Sequence, residues 1–160
     1  MIYEIKDTNK ISPLFGHWEE TLIWSCLQGI MGKIYANDLT APTAAMAVIG
    51  DFTFFAGEPC PELIAYRPPH CTQNFMIAVP QNKLWENMLT QFYGKKAKII
   101  SRYATKKEPP IFNKHHLEKI VASLPKQYTL SMIDSHFYKL CKSEAWSKDL
   151  VSQFSTYEKY

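Results

Sequence analysis

The feature that most constrains this chain is a largely apolar run that is interrupted once. The stretches Ala44–Ile49 and Phe52–Phe55 are separated only by Gly50 and Asp51. Short apolar runs bounded by turn residues are typical of buried strands. Glycine at the first of two central positions suits a type II′ turn, because that position needs a positive φ. The pattern predicts a β-hairpin that turns at Gly50-Asp51; the alternative is one long bent strand with a bulge at Gly50.

The rest of the chain alternates between helical and strand-like patterns. Ser12-Pro13 marks a helix start, since proline loses nothing at the first helical position. Asn113 and Asp134 are good N-caps for two later helices. Apolar spacing predicts helices at 17–28, 80–93, 113–124, 134–141 and 144–154, and strands at 33–37, 63–66, 74–79, 98–104 and 128–133. Strands come first and helices are interleaved later, which predicts an α+β fold with a mostly antiparallel sheet and about five helices.

Length and composition limit the classes to which the protein can belong. A chain of 160 residues with 46% hydrophobic residues is long enough for one domain, 1–160, with a sizeable core. A net charge of +3 and a pI of 8.6 are too weak for a nucleic-acid binder. No apolar run is long enough to span a membrane, and Met1–Asp7 carries acids where a signal peptide needs bases. We therefore expect a cytoplasmic protein with reduced cysteines and no partnership with nucleic acid or membrane.

Neither a metal site nor a catalytic nucleophile is indicated. The adjacent pair His115-His116 points in two directions on a helix, so the two rings cannot converge on one metal ion. Cys60, Cys71 and His70 lie in loops with no fourth ligand nearby, and the chain has no Cys-x-x-Cys pair. The sequence therefore predicts no bound metal.

A basic segment, Lys95–Lys107, is the most concentrated charge in the chain. It holds six cations and no acid before Glu108, namely Lys95, Lys96, Lys98, Arg102, Lys106 and Lys107. Such a segment can be a solvated strand end that protects an edge, or a face that binds an anionic molecule or an acidic partner. Both interpretations stay open at this point.

Several stretches, in order and across nearly the whole chain, resemble a branch of the GNAT acetyltransferases that includes zwittermicin-resistance-like proteins. The matching stretches are Trp24–Gly29, Met31–Tyr35, Pro42–Ala45, Gly50–Pro59, Arg102-Tyr103, Phe112–Lys114, Leu124–Tyr128, Ile133-Asp134, Trp146–Asp149 and Phe154. The resemblance implies N-acetylation of a small-molecule amine by acetyl-CoA. Asp51, Glu58 and Arg102 lie in the matched stretches, and we predict that they bind the acceptor.

The resemblance also implies that the chain corresponds to the N-terminal half of such a protein. Family members bind acetyl-CoA through a loop of the form Gln/Arg-x-x-Gly-x-Gly/Ala that opens a helix after a strand, where backbone N–H groups face the pyrophosphate. The segment Gln91–Lys96 shares the first two anchors of that loop, but it ends in lysine and closes a helix instead. We therefore expect no cofactor-binding residue here, no activity from this chain alone, and association of copies through an exposed sheet edge. The alternative is a non-catalytic module that docks an acidic partner through Lys95–Lys107.

Overall fold

One five-stranded sheet organises the fold. The protein is described here by a computed structural model, covering residues 1–103, 112–152, 154 and 156–160. The strands follow one another across the sheet in chain order: β1 Tyr3–Ile5, β2 Lys33–Ala36, β3 Ala44–Ile49, β4 Phe52–Gly57 and β5 Ile77–Pro80. Strands β1 to β4 pair antiparallel, and β5 pairs parallel with β4. The predicted α+β class with a mostly antiparallel sheet is confirmed.

The predicted hairpin forms between β3 and β4. Ile49 pairs with Phe52, which leaves Gly50 and Asp51 as a two-residue turn. Gly50 has a φ of +54°, and no described residue other than glycine has a positive φ, so Asp51 does not. A positive φ at the first position only is the type II′ pattern. The hairpin is therefore correct, and the long bent strand is excluded.

Six α-helices accompany the sheet in the described part of the chain. They are α1 Ser12–Phe15, α2 Thr21–Leu27, α3 Pro61–Ala65, α4 Lys83–Tyr93, α5 Lys114–Ala122 and α6 Ser135–Ser143. The side chains of Asn82, Asn113 and Asp134 cap α4, α5 and α6 by accepting main-chain N–H groups. The predicted caps Asn113 and Asp134 are thus confirmed. None of these helices is long and apolar enough to cross a bilayer.

Alternation along β4 gives the sheet two buried faces. Phe54 and Ala56 pack with residues of α1 and α2, such as Phe15 and Ile23. Phe55 points to the opposite face, where it packs with residues of α3 and α4, namely Leu63, Ile64, Trp85 and Leu89. Every residue of β3 is buried, which explains why that strand reads as a continuous apolar run.

Two short elements differ from the sequence prediction. Residues 63–66, predicted as a strand, lie largely in α3, because Pro61 starts a helix and Leu63 and Ile64 are buried on one of its sides. Strand β1 was not predicted, since three residues carry too little periodicity to be recognised. It forms because β2 offers it an edge.

The C-terminal third departs further from the prediction. No strand forms over 98–103 or 128–133, and residue 104 lies outside the described residues. Among the described residues of the predicted helix 144–154, only a short 3-10 turn, Lys148–Leu150, is present. Helix α5 forms, but the apolar side chains predicted to be buried are 37% to 51% exposed. They are Leu117, Ile120 and Val121 in the helix and Leu124 just after it. These predictions were wrong because both pairing and burial need a second element, and the described chain supplies none here.

Candidate functional site

A cleft of about 440 Å³ opens on the sheet face that carries α3 and α4. Met46 and Thr53 form part of its floor together with Phe55, which pairs with Met46 across β3 and β4. The loop 66–76, between α3 and β5, forms a wall of the cleft. The cleft therefore has an apolar floor, a polar loop beside it, and the Gly50-Asp51 turn at one end.

Arg67 fixes the shape of that loop. Its guanidinium donates hydrogen bonds to the main-chain oxygens of Gln73 and Phe75, the latter at 3.3 Å. On the neighbouring side, the Tyr93 hydroxyl donates to the main-chain oxygen of Ile64 at 3.0 Å and holds α4 against α3. The main-chain carbonyls of Gln73 and Phe75 in the wall are therefore hydrogen-bonded to a cation of the same loop.

Asp51 is the predicted site residue that lines the cleft. It is half-buried at the end of the hairpin, and Cys71 and Asp149 line the same cavity. Burial raises the pKa of the Cys71 thiol; the cation of Arg67 lowers it and the negative charge of Asp51 raises it. The cleft thus combines a protonated thiol with two aspartates that come from distant parts of the chain.

His70 adds a polar group that lines the same cleft. Its Nδ1 lies 3.4 Å from the hydroxyl of the buried Tyr35, and the two rings are stacked with centroids 6.3 Å apart. Burial lowers the pKa of His70, and the positive charge of Lys33 lowers it further. The imidazole is therefore neutral at pH 7 and adds no positive charge to the cleft.

The structure separates the other two predicted site residues from Asp51. Glu58 follows β4 at its opposite end, so the six extended residues of β4, roughly 20 Å, lie between the two acids. The guanidinium of Arg102 lies over the ring of Phe52, 5.2 Å from its centroid, and Phe52 packs with the core on the other face of the sheet. The three residues therefore do not form one cluster.

Sequence reasoning missed Arg67, His70, Cys71 and Asp149 as lining residues. The dipeptide His70-Cys71 was considered only as a metal ligand, and among the described residues no three His, Cys, Asp or Glu side chains come together as a metal site. The Arg67-Pro68-Pro69 segment predicts a loop, but its sequence does not reveal that this loop covers one face of the sheet. Only the fold brings Asp149 to a cavity that Asp51 lines.

Comparison with known proteins assigns the chain to a family. A family model described as GNAT acetyltransferase matches residues 12–160. The chain belongs to the GNAT acetyltransferase family. A search of curated proteins found no match.

A solved GNAT structure supports the fold as well. It is the crystal structure of a GCN5-related N-acetyltransferase-like protein from Streptococcus suis, with 38% sequence identity and a TM-score of 0.74. The alignment covers 96% of this chain and 61% of that relative. The chain therefore spans about three-fifths of the length of the GNAT protein it matches.

The junction between β4 and α3 is where a GNAT phosphate loop would be expected, because a strand there runs into a helix. Pro59 and Pro61 have no N–H to offer, and the N–H of Glu58 already donates to the main-chain oxygen of Thr43 at 2.9 Å. The acids Glu58 and Glu62 add negative charge beside the first turn. The residues present do not fit the diphosphate of acetyl-CoA.

Other helix starts in the described chain are no better suited. The side chain of Asn82 accepts the N–H groups of Leu84 and Trp85 at the start of α4, and α2 begins directly after Glu19 and Glu20. The segment 91–96, which shares two anchors with the acetyl-CoA loop of the family, ends α4 and continues into a 3-10 turn. It therefore closes a helix, as predicted from the sequence. At the start of α4 two main-chain amides are therefore occupied by the cap, and the start of α2 follows two acids.

Proposed function

We propose that this chain is the N-terminal, acceptor-side portion of a GNAT N-acetyltransferase and that its cleft binds the amine acceptor through Asp51. The observation that carries the proposal is the position of Asp51 at a cleft of about 440 Å³ in a chain of this family. A carboxylate beside aromatic rings is a favourable site for an ammonium group, which gains from both charge and cation–π attraction. The acceptor is accordingly a small molecule with a primary amine.

The charge balance of the cleft favours a cation. Asp51 and Asp149 are acidic, His70 is neutral at pH 7, and the Arg67 guanidinium bonds two main-chain carbonyls of the loop. A neutral or anionic acceptor would leave the aspartates without a counter-charge. Losing a hydrogen bond to a charged group costs about 1.5–3 kcal/mol, and because Asp51 is half-buried we expect the lower end of this range.

The acetyl donor, acetyl-CoA, would be held by a further portion of the family protein. The chain covers 61% of the Streptococcus suis relative, and the helix starts described above do not fit a diphosphate. We therefore propose that the chain alone is inactive. We also propose that the protein belongs to the zwittermicin-resistance-like branch and works in the cytoplasm, and that Glu58 and Arg102 bind the acceptor from positions outside this cleft.

An acetylation assay tests the proposal. The chain would be assayed alone and fused to the segment of the Streptococcus suis relative beyond the match, with acetyl-CoA and a panel of primary amines. We expect acetylated amine only from the fusion, with Asp51→Asn raising KM about tenfold. Glu118→Gln, an exposed carboxylate on α5 outside the cleft, serves as the matched control.

Two results would contradict the proposal. Micromolar binding of acetyl-CoA to the chain alone, measured by calorimetry, would show that this portion holds a cofactor site. An active fusion in which Asp51→Asn and Glu118→Gln behave alike would remove Asp51 from acceptor binding. A failure of the fusion to fold, seen by circular dichroism, would be met by testing amine binding on the chain itself.

A second candidate function is the docking of an acidic partner. Lys95, Lys96 and Lys98 are exposed and form no ion pair within the part of the chain that the structure describes, whereas Lys106 and Lys107 lie outside that part. Replacing the three described lysines by glutamine should weaken binding to an acidic peptide and flatten its dependence on salt. Unchanged binding and salt dependence would exclude this function.

A further inference from the structure

Residues 128–133 have the pattern of a strand but no strand partner among the described residues. Tyr128, Leu130 and Met132 alternate with Thr129 and Ser131, so the three large side chains would share one side of a strand. These side chains are 62%, 69% and 90% exposed, respectively. No residue from 128 to 133 is charged, so nothing in this segment resists edge-to-edge pairing.

Within the part of the chain that the structure describes, the backbone from Thr129 to Ile133 also pairs with no strand. Helix α5 ends at Ala122, and Asp134 caps α6, so neither helix extends into the segment. The N–H of Tyr128 donates to the main-chain oxygen of Pro125 at 2.9 Å. Within the described residues, no main-chain hydrogen bond joins 129–133 to another strand. The main chain from Thr129 to Ile133 is therefore available for pairing with another extended segment.

We propose that residues 128–133 pair antiparallel with the same segment of a second copy of this chain, about a two-fold axis at Leu130. This inference goes beyond the proposed function and does not depend on it. In this register Leu130 faces Leu130 of the second copy, and Tyr128 faces Met132 of the second copy. The apolar side chains of both copies then cover one another, which is the self-complementarity that a two-fold interface needs.

Charges at the two ends favour this register. Lys126 of one copy lies opposite Asp134 of the second copy, and the symmetry repeats the pair at the other end. One oxygen of Asp134 accepts the N–H of Phe137 at 2.9 Å, which leaves the second oxygen for an incoming lysine. A shift of the register by two residues would separate these opposite charges.

The hydrogen-bond pattern fits the same register. The N–H of Tyr128 is already bonded to Pro125, so Tyr128 suits a non-hydrogen-bonded position. Thr129 and Ser131 of the two copies then exchange main-chain hydrogen bonds. At non-hydrogen-bonded positions, such as Leu130 on the axis, the Cα atoms are only about 4.5 Å apart and the side chains come closest.

The test is the oligomeric state of the full chain, measured by light scattering and sedimentation over a range of concentrations. We expect a concentration-dependent dimer for the wild type. Leu130→Lys, which places two ammonium groups on the axis, should weaken the dimer by about tenfold or more. Leu39→Lys, at a leucine that is 56% exposed in another part of the chain, is the matched control and should dimerise like the wild type.

A cysteine on the axis gives an independent measurement. Leu130→Cys should oxidise to a disulfide-linked dimer, because paired positions at this Cα distance accept a disulfide. Leu39→Cys should not, and peptide mapping separates the new linkage from the native cysteines. A wild-type monomer at high concentration would overturn the proposal and leave the segment to a different chain. The proposal would also be overturned if Leu130→Lys dimerised as strongly as the wild type, provided that circular dichroism shows Leu130→Lys and Leu39→Lys to be folded.

Discussion

Replacing Trp85 by phenylalanine tests how the carboxyl end of β4 is closed. Trp85 is fully buried in α4, its Nε1 donates to the main-chain oxygen of Gly57 at 2.9 Å, and its ring lies 5.1 Å from that of Phe55. Phenylalanine keeps a ring against Phe55 but removes the indole N–H and part of the side-chain volume. The substitution therefore separates the hydrogen bond from most of the packing.

The cost of Trp85→Phe follows from two contributions. Removing the indole N–H leaves the Gly57 carbonyl without this donor, which costs about 1–3 kcal/mol when the carbonyl is fully buried. The smaller ring leaves a cavity worth about 1 kcal/mol. Because Gly57 is half-buried, water satisfies part of its carbonyl, and we expect a total loss of about 2–3 kcal/mol. For a chain of this length, this lowers Tm by about 4–12 °C.

Equilibrium unfolding in urea measures the loss, with the m-value checked for constancy. The matched control is Trp24→Phe, since Trp24 is 46% exposed on α2 and its replacement should change the free energy of unfolding by less than about 0.5 kcal/mol. If Trp85→Phe also stays within about 0.5 kcal/mol of the wild type, the indole does not close this end of the strand and our reasoning is refuted.

Three further predictions concern stability. Gly57→Ala should lower the free energy of unfolding in urea by about 3 kcal/mol or more, because φ is +79° and a Cβ would lie 2.3 Å from the main-chain oxygen of Thr43. Gly29→Ala is the control: φ is +66° but the space around it is open, so the loss should be only about 1–2 kcal/mol. Equal losses in the two variants would contradict the steric argument. Asn82→Ala should cost about 1 kcal/mol by uncapping α4, and a cost near zero would show that the cap is not needed. Burial raises the pKa of Cys26 from 9.0 to about 12. The folded state then keeps a proton that the unfolded state loses, so the free energy of unfolding should fall by up to about 1.4 kcal/mol per pH unit above pH 9. Cys26→Ala should show a shallower fall, and an unchanged slope would contradict this assignment.

Elements that are determined by residues close together in the chain could be predicted from the sequence. The hairpin at Gly50-Asp51 follows from one glycine between two apolar runs, and the caps Asn113 and Asp134 follow from side chains that bond their own helix. Membership of the GNAT acetyltransferase family was confirmed over residues 12–160, whereas the branch stays a prediction. These features need no information about distant residues.

Features that depend on distant residues could not be predicted. The apolar side chains of α5 have helical spacing. Whether Leu117 is buried, however, depends on a packing partner that the sequence of the helix does not specify. Segment 128–133 alternates like a strand, yet a strand forms only beside another strand. Arg67 was not recognised because its partners are main-chain carbonyls, which have no signature in the sequence.

The candidate site was predicted in part for the same reason. Asp51 was singled out because it lies in a stretch that resembles the family, and the structure places it at a cleft. Asp149 comes to the same cleft from the other end of the chain, which no spacing rule reveals. Glu58 lies in the same matched stretch as Asp51, but the length of β4 separates the two acids. Arg102 lies in another matched stretch, and its guanidinium contacts Phe52, which packs on the other face of the sheet. Their role in acceptor binding stays a prediction.

Protection of Cys71 by an amine tests the central claim most directly. Cys71 lines the cleft and is free, so the rate at which iodoacetamide alkylates it, read by mass spectrometry, reports whether the cleft is occupied. The account predicts that benzylamine slows this reaction in the wild type, that benzyl alcohol does not, and that Asp51→Asn abolishes the difference. Equal protection by the two compounds, or full protection by benzylamine in Asp51→Asn, would contradict it.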